Sequence, residues 1–558
     1  MNEGVYRVET RIKAIAVIMA VFIISMSLFS CVKATDPTGS EPAQISAAMC
    51  KVDITPQKMV YLDGYTYGLE SLAKYPEDFL TDIMARILIV EVDGERLLHV
   101  NAEMPYISFG ISTSISFKSK LASAAGVEED NVFISDTHDH QSFPKLNSAQ
   151  EAAIIEGVVR AAEKLAPVKV GVETYGTVFG ISRSPDYSRN FDKPYDNTVT
   201  IVRFDDAETD EPVGMVYCVS LHNTAFGVST SDNWHLLNCE FTGFASRYLE
   251  GLHADVPDFT AMHLNGFTGN AGPYFPEADR WYSANIGELK SFGEDFGAEI
   301  AECYDSVVCR SGVSSGIRVK RTLFKIEKAD PMSEKIRTTW GAEPSQILLS
   351  AFSVGELAHV GVNAEPFSII GAHLRAESPY RYLVEASIVD GWCGYIPTSE
   401  TYLDSREQEI QSWKTPFDST GEKQFYDAAL DVLCALKGVT FERIPAELVS
   451  AGEEGSSRLY TFAFDEEISP DKVVLSFDQT SRRNCAEDFL LELIDAAGYT
   501  VHTVKIEGNS VNYLGFPVDN VKAAGAVLTV YSTYRSEAAA DIAVSLHAMK
   551  YAQVENEE

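Results

Sequence analysis

From about Met49 to Leu436, short apolar runs bounded by turn residues alternate with longer runs of helical period. Strands and helices interleaved in this way predict an α/β body. One hairpin is explicit: Arg86 to Val92, the dipeptide Asp93-Gly94, then Arg96 to Asn101. Asp-Gly between two apolar runs is the composition of a two-residue turn whose central positions need positive φ. A helical stretch, Thr113 to Ala125, and another strand, Asn131 to Ser135, complete a βαβ pattern, which gathers ligands at the carboxyl ends of its strands. Further strands are predicted at Gly214 to Ser220, Leu357 to Asn363 and Tyr382 to Val389.

Beyond about Glu442 the pattern changes to six short β-type runs with no long helix between them. They are Leu459 to Phe464, Lys472 to Phe477, Phe489 to Ile494, Val501 to Glu507, Ala526 to Tyr531 and Asp541 to Ala548. This predicts a small β-sandwich. The expected division is a signal over 1–30, a polar tether over 31–45, an α/β catalytic domain of mixed sheets with surrounding helices over 46–440, and the β-sandwich over 441–555. No internal repeat is legible.

Arg7, Arg11 and Lys13 precede an apolar run, Ala14 to Phe29, that is shorter than the ~20 residues of a membrane span and reads as an export signal. It ends in Leu28-Phe29-Ser30-Cys31, which resembles the bacterial lipoprotein processing box. The resemblance implies a lipid anchor on Cys31, with Val32 to Gln44 as a solvated tether; the alternative is ordinary cleavage and secretion. Charge supports no other attachment. With 45 Lys+Arg against 81 Asp+Glu, the net charge is -36, which excludes nucleic acid as a partner and electrostatic docking on anionic lipid. The cysteines after Cys31 stand at 50, 218, 239, 303, 309, 393, 434 and 485 without a CxxC pair, so they are expected to be buried small side chains.

Only 11 histidines occur, and several follow predicted strands. In Ser135-Asp136-Thr137-His138-Asp139-His140, residues two apart in extended chain face the same way, so His138 and His140 can address one pocket. His222 follows Gly214 to Ser220, Glu365 follows Leu357 to Asn363, and Tyr395 follows Tyr382 to Val389. Two imidazoles, a carboxylate and a further oxygen donor suit zinc, which in catalytic sites lowers the pKa of a bound water toward about 7 and polarises a carbonyl. Each residue also has a plain structural reading: Tyr395 as a core aromatic, Glu365 as a carboxylate at a helix N-terminus.

Taken together the motifs resemble the neutral/alkaline non-lysosomal ceramidase family. In chain order they are Asp53-Ile54-Thr55-Pro56 with Asp63-Gly64-Tyr65, the 135–140 segment, Arg183-Ser184-Pro185, His222-Asn223-Thr224, Asn265 to Pro273, Ala364-Glu365-Pro366-Phe367, and Gly394-Tyr395-Ile396-Pro397-Thr398. The resemblance implies that His138, His222, Glu365 and Tyr395 ligate one Zn2+, that His140 carries protons, and that Arg183 holds the substrate's polar head or its developing oxyanion. It implies amide hydrolysis of an N-acyl sphingoid base or a related lipid amide. The chain departs from the family at Gly269-Asn270-Ala271-Gly272-Pro273, which lacks the aspartate and serine of Gly-Asp-Val-Ser-Pro. It departs also at Asp139, a carboxylate between the two histidines, and at Cys239-Glu240-Phe241-Thr242-Gly243, where a shorter acidic pattern is common. Glycines 266, 269 and 272 either let backbone approach the substrate closely or simply make this a flexible loop. Two other functions fit the sequence: a cell-surface binding lipoprotein with little or no catalysis, and a zinc hydrolase of other amides or esters.

Overall fold

The computed structural model describes residues 42–58, 60–62, 72–73, 78–106, 111–184, 190–226, 236–276, 280–281, 284–326, 337–338, 345–404, 406, 415–536 and 538–554. The expected signal, Cys31, nearly all of the tether, Asp63-Gly64-Tyr65 and Pro185 lie outside the described residues. Two compact units are built from Glu41–Thr440 and Phe441–Ala552.

The larger unit uses one plan three times: three antiparallel strands, a helix, and a fourth strand parallel to the third. The first set is β1 (Ile45–Asp53), β2 (Met84–Val92), β3 (Glu95–Ala102), helix α1 (Ile111–Ala125) and β4 (Val132–Asp136). Helix α2 (Ser148–Glu163) leads to the second set, β5 (Ala166–Gly176), β6 (Thr198–Asp206), β7 (Pro212–Val219), α3 (Glu240–Leu252) and β8 (Thr260–Asn265). Helix α4 (Ile286–Ser306) leads to the third, β9 (Ile317–Ile326), β10 (Ser345–Val354), β11 (Leu357–Val362), α5 (Ser368–Glu377) and β12 (Tyr382–Ser387). Helix α6 (Gly421–Lys437) closes the unit. The repeat is one of topology, which is why the sequence shows none: each set meets different neighbours, and its residues have diverged accordingly.

The first two sets share one sheet, joined where β1 meets β5 antiparallel over Ser46↔Pro167 and Ala47↔Ala166. Alternation along β1 serves two cores. Ala48, Cys50 and Val52 pack toward the helices with Ile87, Val100, Ile134, Ile154 and Val158, while Ile45, Ala47 and Met49 pack with Val202, Val216, Met262 and the third set's Phe352, Val384 and Ala386. Strands covered on both faces read as near-continuous apolar runs, as in Arg86 to Val92. Arg86 carries a charge into the middle of this layer, where it is fully buried. Its guanidinium donates to Glu103 Oε1 at 2.7 Å and Glu250 Oε1 at 3.0 Å, and Arg247 binds the same Glu103.

The unit from Phe441 holds one antiparallel sheet of four strands and one of five. Tyr460, Phe462, Phe489, Leu491, Leu528 and Val530 of the five-stranded sheet share a core with Val473, Leu475 and Leu546 of the other. The eight described cysteines are thiols, six of them buried.

Candidate metal centre

The parallel pairs end in register, Ala102 opposite Asp136, Val219 opposite Asn265, and Val362 opposite Ser387. The polar segments after these ends carry the candidate residues, and the structure brings His138, His140, His222 and Glu365 together.

After β4 the chain turns sharply. Asp136 Oδ1 accepts the His138 amide at 3.0 Å, His138 takes φ +58°, and the Asp139 amide donates to Met104 O at 3.1 Å. Asx turns of this kind let Asp support left-handed neighbours that most residues avoid. Asp139, the carboxylate between the two histidines, accepts the Gln141 amide on Oδ1 at 2.8 Å; burial, with nearby Glu240, pushes its carboxyl well above the usual range. The ring of His138 turns Nδ1 toward Pro105 O at 3.4 Å. Its Nε2 faces Glu365 Oε2 and His140 Nε2, each at 3.2 Å, and His222 Nδ1 lies 3.8 Å from the same carboxylate oxygen.

Glu365 follows β11 and is held beside Tyr395 by a short parallel pair, Glu365–Pro366 with Tyr395–Ile396. The Glu365 amide donates to Gly394 O at 2.9 Å. Burial would raise its carboxyl, but the His138 imidazole, the Trp392 indole and Arg183 together draw it down to about 2. Arg183, buried after the short strand Gly180–Ser182, donates from Nη2 to the Tyr395 hydroxyl at 3.0 Å and to Gly269 O at 3.3 Å.

The glycine-rich loop departs from its expected role. A Cβ at Gly266 would sit 2.6 Å from Ser220 Oγ, and one at Gly269 2.8 Å from the Phe367 ring and 2.9 Å from the carbonyls of Glu365 and Pro366. These glycines admit other chain segments rather than substrate. Gly272 differs: it is buried, yet a Cβ there would meet only Arg183 Cδ, at 3.6 Å. Asn270 ties the loop to α5, its Oδ1 accepting from the Ser368 amide at 2.7 Å and hydroxyl at 2.8 Å.

Two residues of the centre, Trp392 and Glu103, were missed from sequence, and a third, Glu240, was noted only within a departing motif. Trp392 donates its indole N–H to Glu365 Oε1 at 2.6 Å. Glu103 anchors the turn leading to Pro105. Glu240, at φ +54°, accepts the amides of Ala225, Phe226 and Phe241; burial pushes its carboxyl up to about 7, and the charge of His140 acts against that rise. A charge inside the apolar run Arg86 to Val92 was the signal for Glu103; Glu240 was marked only by the departure at Cys239 to Gly243, and Trp392 left none.

The donors fit a metal ion. His138 Nε2 lies 3.2 Å from both Glu365 Oε2 and His140 Nε2 in a buried site, and a cation among these atoms would satisfy them all. Among the described residues His138, His140 and His222 form a buried group able to hold one, their nitrogens all within 4.8 Å. Imidazoles with a carboxylate are the zinc type of donor set.

Fold and site define a mixed-sheet α/β protein with an imidazole–carboxylate centre at converging strand ends. The neutral ceramidases share this fold. A ceramidase solved in complex with C2 aligns with a TM-score of 0.55 over 92% of this chain and 99% of that one, at 15% identity. The neutral ceramidase of Pseudomonas aeruginosa aligns with a TM-score of 0.54 over the same shares, also at 15% identity. No family model and no curated protein matches the chain.

Proposed function

We propose that the protein is a zinc-dependent amidohydrolase of the neutral ceramidase type, cleaving an N-acyl sphingoid base or a related lipid amide. The observation that carries this reading is the buried meeting of His138, His140, His222 and Glu365 at the strand ends of a ceramidase fold. His138, His222, Glu365 and Tyr395 would hold the ion. When bound, zinc supplies Lewis acidity and a water acidified to near neutral pH.

The remaining steps belong to the chain. Arg183 and the Tyr395 hydroxyl, 3.0 Å apart, present donors to the acyl oxygen as negative charge develops on it. His140 takes the proton from the attacking water and delivers it to the leaving nitrogen, which must depart as an amine. Tyr106 packs edge-on against His138, with ring centroids 5.6 Å apart, and tilted against Trp392 at 5.5 Å. We assign the C-terminal unit a β-sandwich architecture. From the sequence alone we also propose export and anchoring through Cys31, in which case membrane partition is lost in Cys31→Ser.

Zinc analysis of the purified protein, with hydrolysis of a fluorescent N-acyl sphingosine, tests the reading. Stoichiometric zinc and amine release are expected. His138→Ala and Glu365→Ala should lose the metal, whereas His140→Ala should keep it and lose rate by about 10²- to 10⁴-fold. Absence of zinc from the wild type sinks the mechanism, and loss of zinc in His140→Ala would make that residue a ligand. A zinc protein active only on short amides or esters would retain the chemistry and replace the substrate.

A further inference from the structure

We propose that Trp392 is a positioning residue that sets how Glu365 addresses the metal; the inference rests on the zinc reading above. A carboxylate has two equivalent oxygens and a soft terminal torsion, so it can bind through either or both. Here the two oxygens are already distinguished. Oε1 accepts the Trp392 indole N–H at 2.6 Å, whereas Oε2 faces His138 Nε2 at 3.2 Å and His222 Nδ1 at 3.8 Å. An indole nitrogen donates only, so it cannot compete for the cation, and a hydrogen bond to a charged acceptor is among the stronger kinds. One oxygen is occupied by the protein and the other is directed at the imidazoles.

The backbone that brings Trp392 to this position is shaped for it. Ile388, a β-branched residue, has φ +56°, Asp390 has φ +60° and Gly394 has φ +89°, values that non-glycine residues adopt only where the surroundings enforce them. The enforcement is visible. The Ile388 amide donates to Ala364 O at 3.2 Å, and Gly394 O accepts the Glu365 amide at 2.9 Å, so the loop is bonded to both polar ends of the single peptide group that joins Ala364 to Glu365. Between them, the Asp390 amide donates to Ile134 O at 2.8 Å. Its side chain binds Lys118 Nζ at 2.9 Å, Arg321 Nη1 at 2.6 Å and Ser350 Oγ at 2.9 Å. Tyr106 packs on the Trp392 ring, with centroids 5.5 Å apart. A purely space-filling aromatic would need none of this, nor a donor aimed at the carboxylate.

The experiment measures zinc affinity by competition with a chromophoric chelator. Trp392→Phe keeps an aromatic ring and removes the N–H. It should bind zinc about 10- to 100-fold more weakly than wild type while keeping the wild-type far-ultraviolet circular dichroism, the range found when an outer partner of a metal ligand is removed. In a Glu365→Gln background the same change should weaken zinc by much less. Equal affinity of Trp392→Phe and wild type, or the same loss in both backgrounds, overturns the proposal. A second measurement does not depend on that variant folding. The protein has five tryptophans, so its ¹⁵N indole spectrum is readable, and one N–H signal should move in Glu365→Gln. If no signal moves, the contact is absent and the proposal falls. Failure of the zinc reading is distinct: the wild type would then bind no zinc, while the indole signal would still report whether Trp392 holds Glu365.

Discussion

Two glycines three residues apart make opposite demands, and they separate packing from function in the loop after β8. Gly269 donates its amide to Pro366 O at 2.9 Å and leaves no room for a Cβ against Phe367 and two carbonyl oxygens. Gly269→Ala must push the Glu365–Pro366 strand aside, at a cost of about 1–3 kcal/mol, the usual range for overpacking. At Gly272 a Cβ would meet only the Arg183 stem, at 3.6 Å, so Gly272→Ala should cost clearly less than Gly269→Ala. Denaturant midpoints of the two variants check this; equal losses would show that the space beside Arg183 is not open. The same pair shows what was legible. The departure at Gly272 could be read from the motif, but which glycine faces a neighbouring chain and which faces a void depends on segments a hundred residues away. Likewise His138 and His140 stood out because two histidines follow a strand, whereas Trp392 carried no such mark.

At the level of elements, local chemistry predicted what local chemistry decides. Asp93-Gly94 forms the expected turn, with φ +52° and +85°, between strands of the expected register, and the runs at 132–136, 212–219, 357–362 and 382–387 are strands within a residue or two of their expected bounds. The threefold plan was hidden because its defining feature is parallel pairing between distant residues, Leu98 with Val132, Gly214 with Thr260 and Leu357 with Tyr382, which no short period records. Arg86 reports this layer from within. It joins β2 to Glu103 after β3 and to Glu250 of α3, so it ties the first strand set to the second. Removing it leaves two buried carboxylates with one cation fewer. Arg86→Met should therefore cost about 3–5 kcal/mol. It should also weaken zinc binding, because Glu103 leads directly into Met104 and Pro105, whose carbonyls hold the turn around His138. A loss below about 1 kcal/mol in chemical denaturation would refute the linkage.

At the scale of the whole molecule, the charge of -36 and a few buried carboxyls act in the same direction on stability. Glu299 of α4 is buried, which pushes its carboxyl up to about 7 against a hydrogen bond from Thr177. Between an unfolded value near 4.5 and that raised value, the folded state holds a proton the unfolded chain has released, so stability must fall as pH rises through this window, by on the order of 3 kcal/mol. Self-repulsion of the ionised surface adds to the fall. Glu103 sets the opposite limb. Burial would raise it, but Arg247 and Arg86 hold it down to about 2, so the stability it contributes is complete above about 4.5 and is lost as pH drops toward 2. The larger unit should accordingly be most stable near pH 4.5 to 5, well below the pH at which imidazoles would bind zinc tightly. Thermal unfolding in the presence of a chelator isolates the effect from metal binding. The midpoint should rise from pH 7.5 to 5 and fall below 4.5, added salt should raise it at pH 7.5 more than at pH 5, and Glu299→Gln should flatten the alkaline limb. A midpoint that climbs between pH 5 and 7.5, or one unchanged in slope by Glu299→Gln, would show that the proton bound at Glu299 does not govern the fall. With metal present the two tendencies oppose each other: alkaline pH deprotonates the imidazoles and strengthens the centre while it weakens the body that holds it.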